Sequence, residues 1–300
     1  MTGIESVGVV GCGLMGAGIA EVCARAGLPV TVVERDAQAA RSGRLRVTRS
    51  LDRATAHGRL TAERRAAAAD LITVVAEVEA LHDRDLVIEA VAEDERLKTD
   101  VFTRLDAVVT GEGAILATNT SSIPVIRLAA ATGRPEHVVG VHFFNPVPVL
   151  RLVEVVPSLL TSGATVTRAE TFVTGRLGKE VVRTRDRAGF VVNALLVPYL
   201  LAAIRMVESG GASVEDIDRG MVLGCAHPLG PLALTDLIGL DTTRAIAESL
   251  YAEFREPQFS PPPLLSRMVE AGLLGRKSGR GFHTYDGEPQ RGAAAPGRPR

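Results

Sequence analysis

A glycine-rich turn near the N-terminus most constrains how this chain can fold. A short apolar run, Ser6–Val10, predicts a strand, and a helix is predicted over Ile19–Ala26. The turn between them follows the spacing G-x-G-x-x-G. The first glycine of such a turn permits the sharp bend, the second lets backbone amides approach a pyrophosphate, and the third lets the helix pack against the strand. We therefore predict a dinucleotide-binding βαβ unit whose phosphate contacts come from Gly11, Cys12, Gly13, Leu14, Met15 and Gly16.

An acidic residue after the next strand completes this fingerprint. The strand predicted over Val30–Val33 is followed by Glu34, about 20 residues beyond the turn. A carboxylate at that place accepts hydrogen bonds from the ribose hydroxyls of an adenosine. Glu34 would repel the 2′-phosphate of NADP, although the neighbouring Arg35 would attract it. We therefore expect NAD as the cofactor in preference to NADP. The alternative to a dinucleotide site is a tight strand-to-helix turn that binds no ligand.

The first 187 residues alternate short β-branched runs with longer helical segments. Alternation of this kind builds a parallel sheet with helices on both faces. The stretch Ala37–Asp70 is long, polar and basic, and it predicts a helical pair that projects from the sheet. The fold class expected for residues 1–187 is therefore α/β, with a Rossmann-type doubly wound sheet. The predicted strands are Ser6–Val10, Val30–Val33, Thr73–Val75, Leu86–Ala90, Ile115–Thr118 and Val138–His142.

Beyond the first 187 residues the strand signal vanishes and helical periodicity takes over. Ser213 opens a capping-box pattern, Asp241 is a predicted N-cap, and Pro261–Pro263 predicts the start of one more helix. We therefore predict a second, all-helical domain over residues 188–286. The low-complexity tail at residues 287–300 is expected to be disordered.

The composition is that of an ordinary globular protein and excludes several kinds of partner. Of 300 residues, 46% are hydrophobic and 23% are charged, and the formal net charge is −1. Without a surplus of positive charge, binding to nucleic acid or to an anionic membrane is not expected. The three cysteines, Cys12, Cys23 and Cys225, are too few and too scattered for a disulfide scaffold or a zinc site. We predict no metal site.

The same features indicate where the protein works. The N-terminal segment lacks the basic start of a signal peptide, and the apolar stretch Gly189–Ile204 is shorter than the roughly 20 residues that span a bilayer. An odd number of cysteines argues against secretion. We expect a cytoplasmic protein whose partner is a small molecule or another protein.

A histidine and a glutamate lie symmetrically about Pro148. If the chain reverses there, the alternating run Leu150–Val156 returns antiparallel and brings Glu154 beside His142. A carboxylate in that place fixes the ring tautomer and stabilises an imidazolium, as a base that removes a hydroxyl proton requires. A solitary histidine at a strand end is often structural. The carboxylate partner and the nucleotide site favour catalysis.

Two other polar segments are candidates for ligand contact. The run Thr118–Ser122 follows a predicted strand and offers hydroxyl groups and an amide, although a hydroxyl-capped turn into the helix around Val125–Ala130 explains part of it. Asn193 lies on an apolar helix of the second domain. A buried asparagine needs hydrogen-bond partners, so Asn193 serves either packing between the domains or a polar ligand.

Together these motifs resemble the short-chain 3-hydroxyacyl-CoA dehydrogenase family over residues 5–286. The segment Ser213–Tyr285 is similar to bacterial 3-hydroxybutyryl-CoA dehydrogenases of the actinobacterial type. The resemblance implies reversible oxidation of an (S)-3-hydroxyacyl-CoA to the 3-ketoacyl-CoA, and a homodimer formed through the helical domain. It is carried by the glycine turn, Asn119–Ser122, His142–Glu154, Gly189–Asn193, His227–Pro231 and Gly275–Phe282.

The resemblance also implies roles for single residues. His142 is the general acid/base, Glu154 orients it, and Ser121 and Asn193 hydrogen-bond the substrate. Lys98 lies on a predicted amphipathic helix, and without the resemblance it would be interpreted as a solvated surface lysine. The positions that match cofactor contacts are Glu34, Glu93, Lys98, Ser121, Asn145 and Lys277.

One departure from the family concerns CoA. Ser50 matches a CoA contact, but His57 stands where relatives can carry a CoA-binding lysine. Arg53 or Arg59 could make the CoA contact instead. The alternative for the whole basic stretch from Arg41 to Arg65 is a solvated helical face that binds no ligand.

Two other functions remain open from the sequence. One is a biosynthetic relative that acts on a carrier-protein thioester or another hydroxy acid. Turnover of the same acyl group on CoA and on a carrier protein distinguishes it. The other is a crystallin-like or scaffolding homologue that binds a dinucleotide without catalysis, against which the set Ser121, His142, Glu154 and Asn193 argues.

Overall fold

The computed structural model describes residues 3–285 and divides the chain into two compact units. The first unit ends at Phe190 and the second begins at Val191. The sequence analysis places this boundary between residues 187 and 188. The tail predicted at residues 287–300 lies outside the described residues.

The first unit contains an eight-stranded sheet within the described residues, in the order β3-β2-β1-β4-β5-β6-β7-β8. Neighbouring strands are parallel except for the antiparallel pair β6–β7. This confirms the expected doubly wound sheet, and the strand order reverses beside β1, where such folds bind ligands at the carboxyl ends of the strands. The strands are β1 (Val7–Val10), β2 (Val30–Val33), β3 (Ile72–Val75), β4 (Leu86–Glu89), β5 (Ile115–Thr118), β6 (Val138–Phe143), β7 (Leu152–Pro157) and β8 (Glu180–Arg183).

Helices cover both faces of the sheet, so the central strands are mostly apolar. On β4, Leu86 and Ile88 pack into the hydrophobic cluster on one face, whereas Val87 packs into the cluster on the other. The predicted helical pair is present as α2 and α3. The helices of this unit are α1 (Leu14–Arg25), α2 (Ala37–Ala56), α3 (Ala62–Asp70), α4 (Glu95–Val108), α5 (Val125–Ala129) and α6 (Gly163–Thr171).

One prediction about this unit was wrong, and one strand was missed. Helix α1 begins at Leu14 rather than Ile19. Gly16 and Gly18 lower helix propensity, but a Cβ at Gly16 would lie 1.8 Å from the Gly11 carbonyl oxygen, so packing requires the glycine. Strand β8 was missed because it is short and polar at both ends. It is an edge strand that pairs parallel to β7.

The second unit is helical, as predicted, apart from isolated bridges within Gly275–Thr284. Ser213 caps α8 as predicted, because its hydroxyl accepts from the Asp216 amide at 3.1 Å. Asp241 is not an N-cap: Gly239 holds that position with φ 104°, and the Asp241 carboxylate pairs with Lys277 instead. The helices are α7 (Val192–Glu208), α8 (Val214–Cys225), α9 (Pro231–Ile238), α10 (Leu240–Phe254) and α11 (Pro263–Glu270).

Between residues 3 and 285, no helix has both the length and the apolar character that crossing a membrane requires.

Candidate active site

The glycine turn leaves room for a ligand in front of the backbone. Gly11 has φ +89°, and a Cβ there would lie 2.9 Å from the Ala90 carbonyl oxygen. Gly13 differs, because a Cβ at that position meets nothing within 4 Å. Packing therefore requires Gly11, whereas the space at Gly13 lies open beside the backbone. This arrangement fits a pyrophosphate that approaches the amides closely.

The start of α1 adds favourable electrostatics. Gly13 is the N-cap residue, the helix has no side-chain cap, and its first turn has no acidic residue. The N-terminus of a helix carries partial positive charge and free amide donors, which together favour a phosphate. The residues present therefore fit the pyrophosphate of a dinucleotide.

Glu34 lies at the end of β2, beside the turn. Its Oε1 accepts from the Cys12 amide at 2.7 Å, and the Arg46 guanidinium donates to the Cys12 carbonyl oxygen. Burial, together with the nearby Glu34 charge, raises the pKa of the Cys12 thiol to about 11, so the thiol stays protonated at neutral pH. A cavity of about 390 Å³ borders Glu34, Arg35 and Ser42. Its place beside Glu34 suits an adenosine ribose.

His142 and Glu154 lie directly opposite each other on β6 and β7, as the spacing predicted. The imidazole Nδ1 is 2.8 Å from Glu154 Oε2, and the side chains are 7% and 0% exposed. An ionised carboxylate only accepts, so Nδ1 carries the proton and Nε2 keeps its lone pair. The rings of Phe144 and Phe190 lie 4.6 and 5.5 Å from the imidazole, measured between centroids. The geometry suits a general base.

The chain reversal between β6 and β7 is held by a buried lysine. Lys179 Nζ donates to the carbonyl oxygens of Val147, at 2.7 Å, and Leu150, at 2.6 Å. Burial, together with the Arg25 charge, lowers the pKa of Lys179. Asn145 is exposed in this reversal. The sequence analysis missed Lys179, because a single lysine before an edge strand gives no signal of such a contact.

Asn119 connects β5 to the end of β6. Its Oδ1 accepts from the Phe143 amide at 2.8 Å. This hydrogen bond fixes the backbone next to His142 relative to the loop that carries Ser121.

That loop is gathered around one carboxylate oxygen. Glu93 Oε1 accepts from the amides of Ser121, at 2.9 Å, and Ser122, at 3.1 Å, and also from three hydroxyl groups. Burial alone would raise the pKa of Glu93, but the Lys98 ammonium and these hydrogen bonds outweigh it and hold that pKa below its usual value. The hydroxyl donors belong to Thr120, Ser121 and Ser122.

This arrangement confirms one interpretation of the sequence and corrects another. The expected hydroxyl-capped turn is present before α5, where Thr120 Oγ1 accepts from the Ile123 amide at 2.9 Å, whereas the first two amides of α5 itself donate to Asp186 at 2.7 and 2.8 Å. The reading of Lys98 as a solvated lysine was wrong, because its side chain is 1% exposed. Asp186 was missed, since it lies some sixty residues beyond the helix that it caps.

The remaining predicted site residues lie on other elements of the two units. Ser50 is half-buried on α2, and His57 is exposed just after that helix, where its ring nitrogen Nδ1 lies 2.7 Å from the Arg53 carbonyl oxygen. Asn193 and Lys277 belong to the second unit. Asn193 is half-buried at the start of α7, not fully buried as the sequence suggested, and Lys277 pairs with Asp241. The roles of these residues stay predictions.

Comparison with known proteins confirms the resemblance drawn from the motifs. Residues 6–187 match the family described as 3-hydroxyacyl-CoA dehydrogenase, NAD binding domain, and residues 189–285 match its C-terminal domain. A 3-hydroxybutyryl-CoA dehydrogenase of Mycobacterium tuberculosis is 58% identical over 282 residues, which cover 94% of this chain and 99% of that protein.

Solved structures agree over the same length. The crystal structure of M. tuberculosis FadB2 has a TM-score of 0.94 at 57% identity, covering 95% of this chain and 100% of that one. The crystal structure of (S)-3-hydroxybutyryl-CoA dehydrogenase PaaH1 from Ralstonia eutropha has a TM-score of 0.88 at 45% identity, with the same coverage. This chain therefore belongs to the 3-hydroxyacyl-CoA dehydrogenase family, and it is an NAD-dependent oxidoreductase.

Proposed function

We propose that the chain catalyses the reversible, NAD-dependent oxidation of (S)-3-hydroxybutyryl-CoA, or a related 3-hydroxyacyl-CoA, to the 3-ketoacyl-CoA. The observation that carries this proposal is the buried His142–Glu154 pair in the same unit as the glycine turn. The names of the M. tuberculosis and R. eutropha relatives support the substrate class, and that of the R. eutropha enzyme supports its stereochemistry.

The chain's own residues hold the cofactor and move a proton. The amides of the glycine turn bind the pyrophosphate, and Glu34 binds the adenosine ribose. Bound NAD would supply the acceptor for the hydride that leaves the substrate carbon. Further contacts to the nicotinamide cofactor are assigned by family resemblance to Glu93, Lys98, Ser121, Asn145 and Lys277.

His142 is the general acid/base in this proposal. Its Nε2 lone pair takes the proton of the 3-hydroxyl group, and Glu154 stabilises the imidazolium that forms. In the reductive direction the same nitrogen returns the proton. Ser121 and Asn193 hydrogen-bond the substrate at the reacting group.

The CoA moiety is proposed to meet the basic helix α2. Ser50 is one contact, and His57, Arg53 or Arg59 supplies positive charge to the phosphates. A homodimer through the helical unit and a cytoplasmic location complete the proposal.

Steady-state assays with a series of 3-ketoacyl-CoA substrates of increasing length, with NADH and with NADPH, test it. We expect turnover of acetoacetyl-CoA with NADH, followed through the absorbance of the reduced nicotinamide. Turnover of the same acyl group on a carrier protein but not on CoA would contradict the substrate assignment.

Glu34 is expected to select NAD. Replacing it with Gln keeps an oxygen that accepts from the Cys12 amide but removes the charge that opposes a 2′-phosphate. We expect the ratio of kcat/KM for NADH to that for NADPH to fall by about tenfold, equal to about 1.4 kcal/mol. Glu112→Gln, at an exposed glutamate in the turn before β5, is the matched control and is expected to leave this ratio unchanged. An unmodified protein that uses both cofactors equally would show this assignment to be wrong.

A further inference from the structure

Glu89 is a fully buried carboxylate to which the proposed chemistry gives no role. It ends β4, and its side chain is 0% exposed. Its Oε1 accepts from the Val91 amide and from Lys98 Nζ, each at 2.7 Å, and its Oε2 accepts from the Thr118 hydroxyl at 2.8 Å. Burying a charge is costly unless partners compensate it, so a carboxylate with this many partners forms part of an ordered polar cluster.

Lys98 is the next member of that cluster. Its ammonium has three donors, and three protein oxygens surround it. They are Glu89 Oε1 at 2.7 Å, Glu93 Oε2 at 3.2 Å and the Val91 carbonyl oxygen at 3.5 Å. The buried lysine therefore connects two carboxylates, one in the core and one at the loop.

Glu93 completes the connection. One of its oxygens meets Lys98, and the other gathers the donors of residues 120–122. A continuous series of charge-assisted hydrogen bonds, joined by the Lys98–Glu93 ion pair, thus runs from Glu89 to the loop that carries Ser121. Such bonds are roughly twice as strong as neutral hydrogen bonds, so loss of the charge on Glu89 is expected to alter the position of the loop that carries Ser121.

We propose that Glu89 is a positioning residue for cofactor binding: it holds Lys98, Lys98 holds Glu93, and Glu93 shapes the Ser121 loop. The inference rests on the proposed function only in taking Glu93, Lys98 and Ser121 as contacts of the nicotinamide cofactor. Glu89 itself touches neither cofactor nor substrate in this scheme.

Glu89→Gln tests the proposal, because it keeps the shape and an accepting oxygen but removes the charge that holds Lys98. Calorimetric titration with NADH, without substrate, measures the effect. We expect the Kd for NADH to rise about tenfold, as loss of a hydrogen bond to a charged group predicts. At saturating NADH, kcat is expected to fall by a smaller factor than the Kd rises, because the His142–Glu154 pair is untouched and only the Ser121 contact to the substrate is disturbed. A Kd within about twofold of the parent value contradicts the proposal.

Asp85→Asn is the matched control at the other end of β4. The Asp85 carboxylate accepts from the Ser6 amide and hydroxyl, both at 2.9 Å, and from the Glu5 amide at 3.0 Å. Its replacement is expected to lower the midpoint of thermal unfolding and to leave the Kd for NADH unchanged. If both variants weaken NADH binding equally, general loosening of β4 explains the effect and the proposal fails.

A double-mutant cycle tests the route. If Glu89 acts through Glu93, adding Glu89→Gln to Glu93→Gln raises the Kd for NADH by less than about twofold beyond Glu93→Gln alone. If the two substitutions raise the Kd for NADH by factors that multiply, that route is contradicted.

Should Glu89→Gln fail to fold, Thr118→Val provides a second variant, because it removes only the donor to Glu89 Oε2. It is expected to raise the Kd for NADH about threefold, and an unchanged Kd overturns the proposal. A parent protein that binds NADH but turns over no acyl thioester contradicts the proposed function and leaves this binding test intact.

Discussion

Replacing His142 with Gln is expected to lower kcat about 100-fold or more, because general acid–base catalysis typically contributes 10² to 10⁴. The imidazole is held by Glu154 at 2.8 Å in a nearly solvent-free setting, and glutamine cannot take up the proton of a hydroxyl group. Steady-state kinetics with acetoacetyl-CoA and NADH measures the loss. The Kd for NADH should stay within about twofold of the parent value, because the glycine turn and Glu34 are unaltered.

An exposed histidine provides the control for this variant. His82 is exposed and precedes β4, whereas the candidate site lies at the carboxyl ends of the strands; its ring Nδ1 lies 3.1 Å from the Glu79 carbonyl oxygen. His82→Gln should therefore leave kcat unchanged. Glu154→Gln is expected to lower kcat by less than His142→Gln, since it loosens the orientation of the ring rather than removing the proton carrier. Near-normal turnover by His142→Gln would remove His142 from the mechanism.

The contacts that could be predicted from the sequence are those set by local pattern. The alternation of Leu150–Val156 and the symmetry about Pro148 fix the register of a hairpin, so the His142–Glu154 contact follows from strand periodicity. The glycine turn is equally local, because the strand, the turn and the helix are consecutive in the chain.

The contacts that were missed depend on which strands become neighbours. Glu89 meets Thr118 because β4 pairs with β5 in that register, and no spacing within either segment signals the pairing. Asp186 and Lys179 likewise act on segments far away in the chain. Strand β8 was missed for a further reason: an edge strand has one paired side and lacks the apolar run that marks a buried strand.

Lys98→Met is expected to cause the largest loss of stability. The variant leaves Glu89 buried without its cation, and breaking a buried pair by removing one partner costs about 3–5 kcal/mol. Denaturant unfolding, followed by a probe in the first unit, measures the free energy of unfolding. Arg127→Met is the control, because Arg127 and Glu95 form an ion pair with side chains 57% and 48% exposed. Such a surface pair contributes less than about 1 kcal/mol.

The cause of the Lys98→Met loss can be separated from a simple loss of packing. If the uncompensated charge of Glu89 is responsible, adding Glu89→Gln should restore part of the stability, because the second change removes the buried charge that the first left unpaired. A cavity would behave differently, since the second substitution fills no space and could only add to the loss. The same double variant should still bind NADH weakly, because Lys98, itself an assigned cofactor contact, is missing and Glu93 has lost the ammonium that holds it. Recovery of stability without recovery of NADH binding therefore separates the role of the cluster in cofactor binding from its contribution to the folded core.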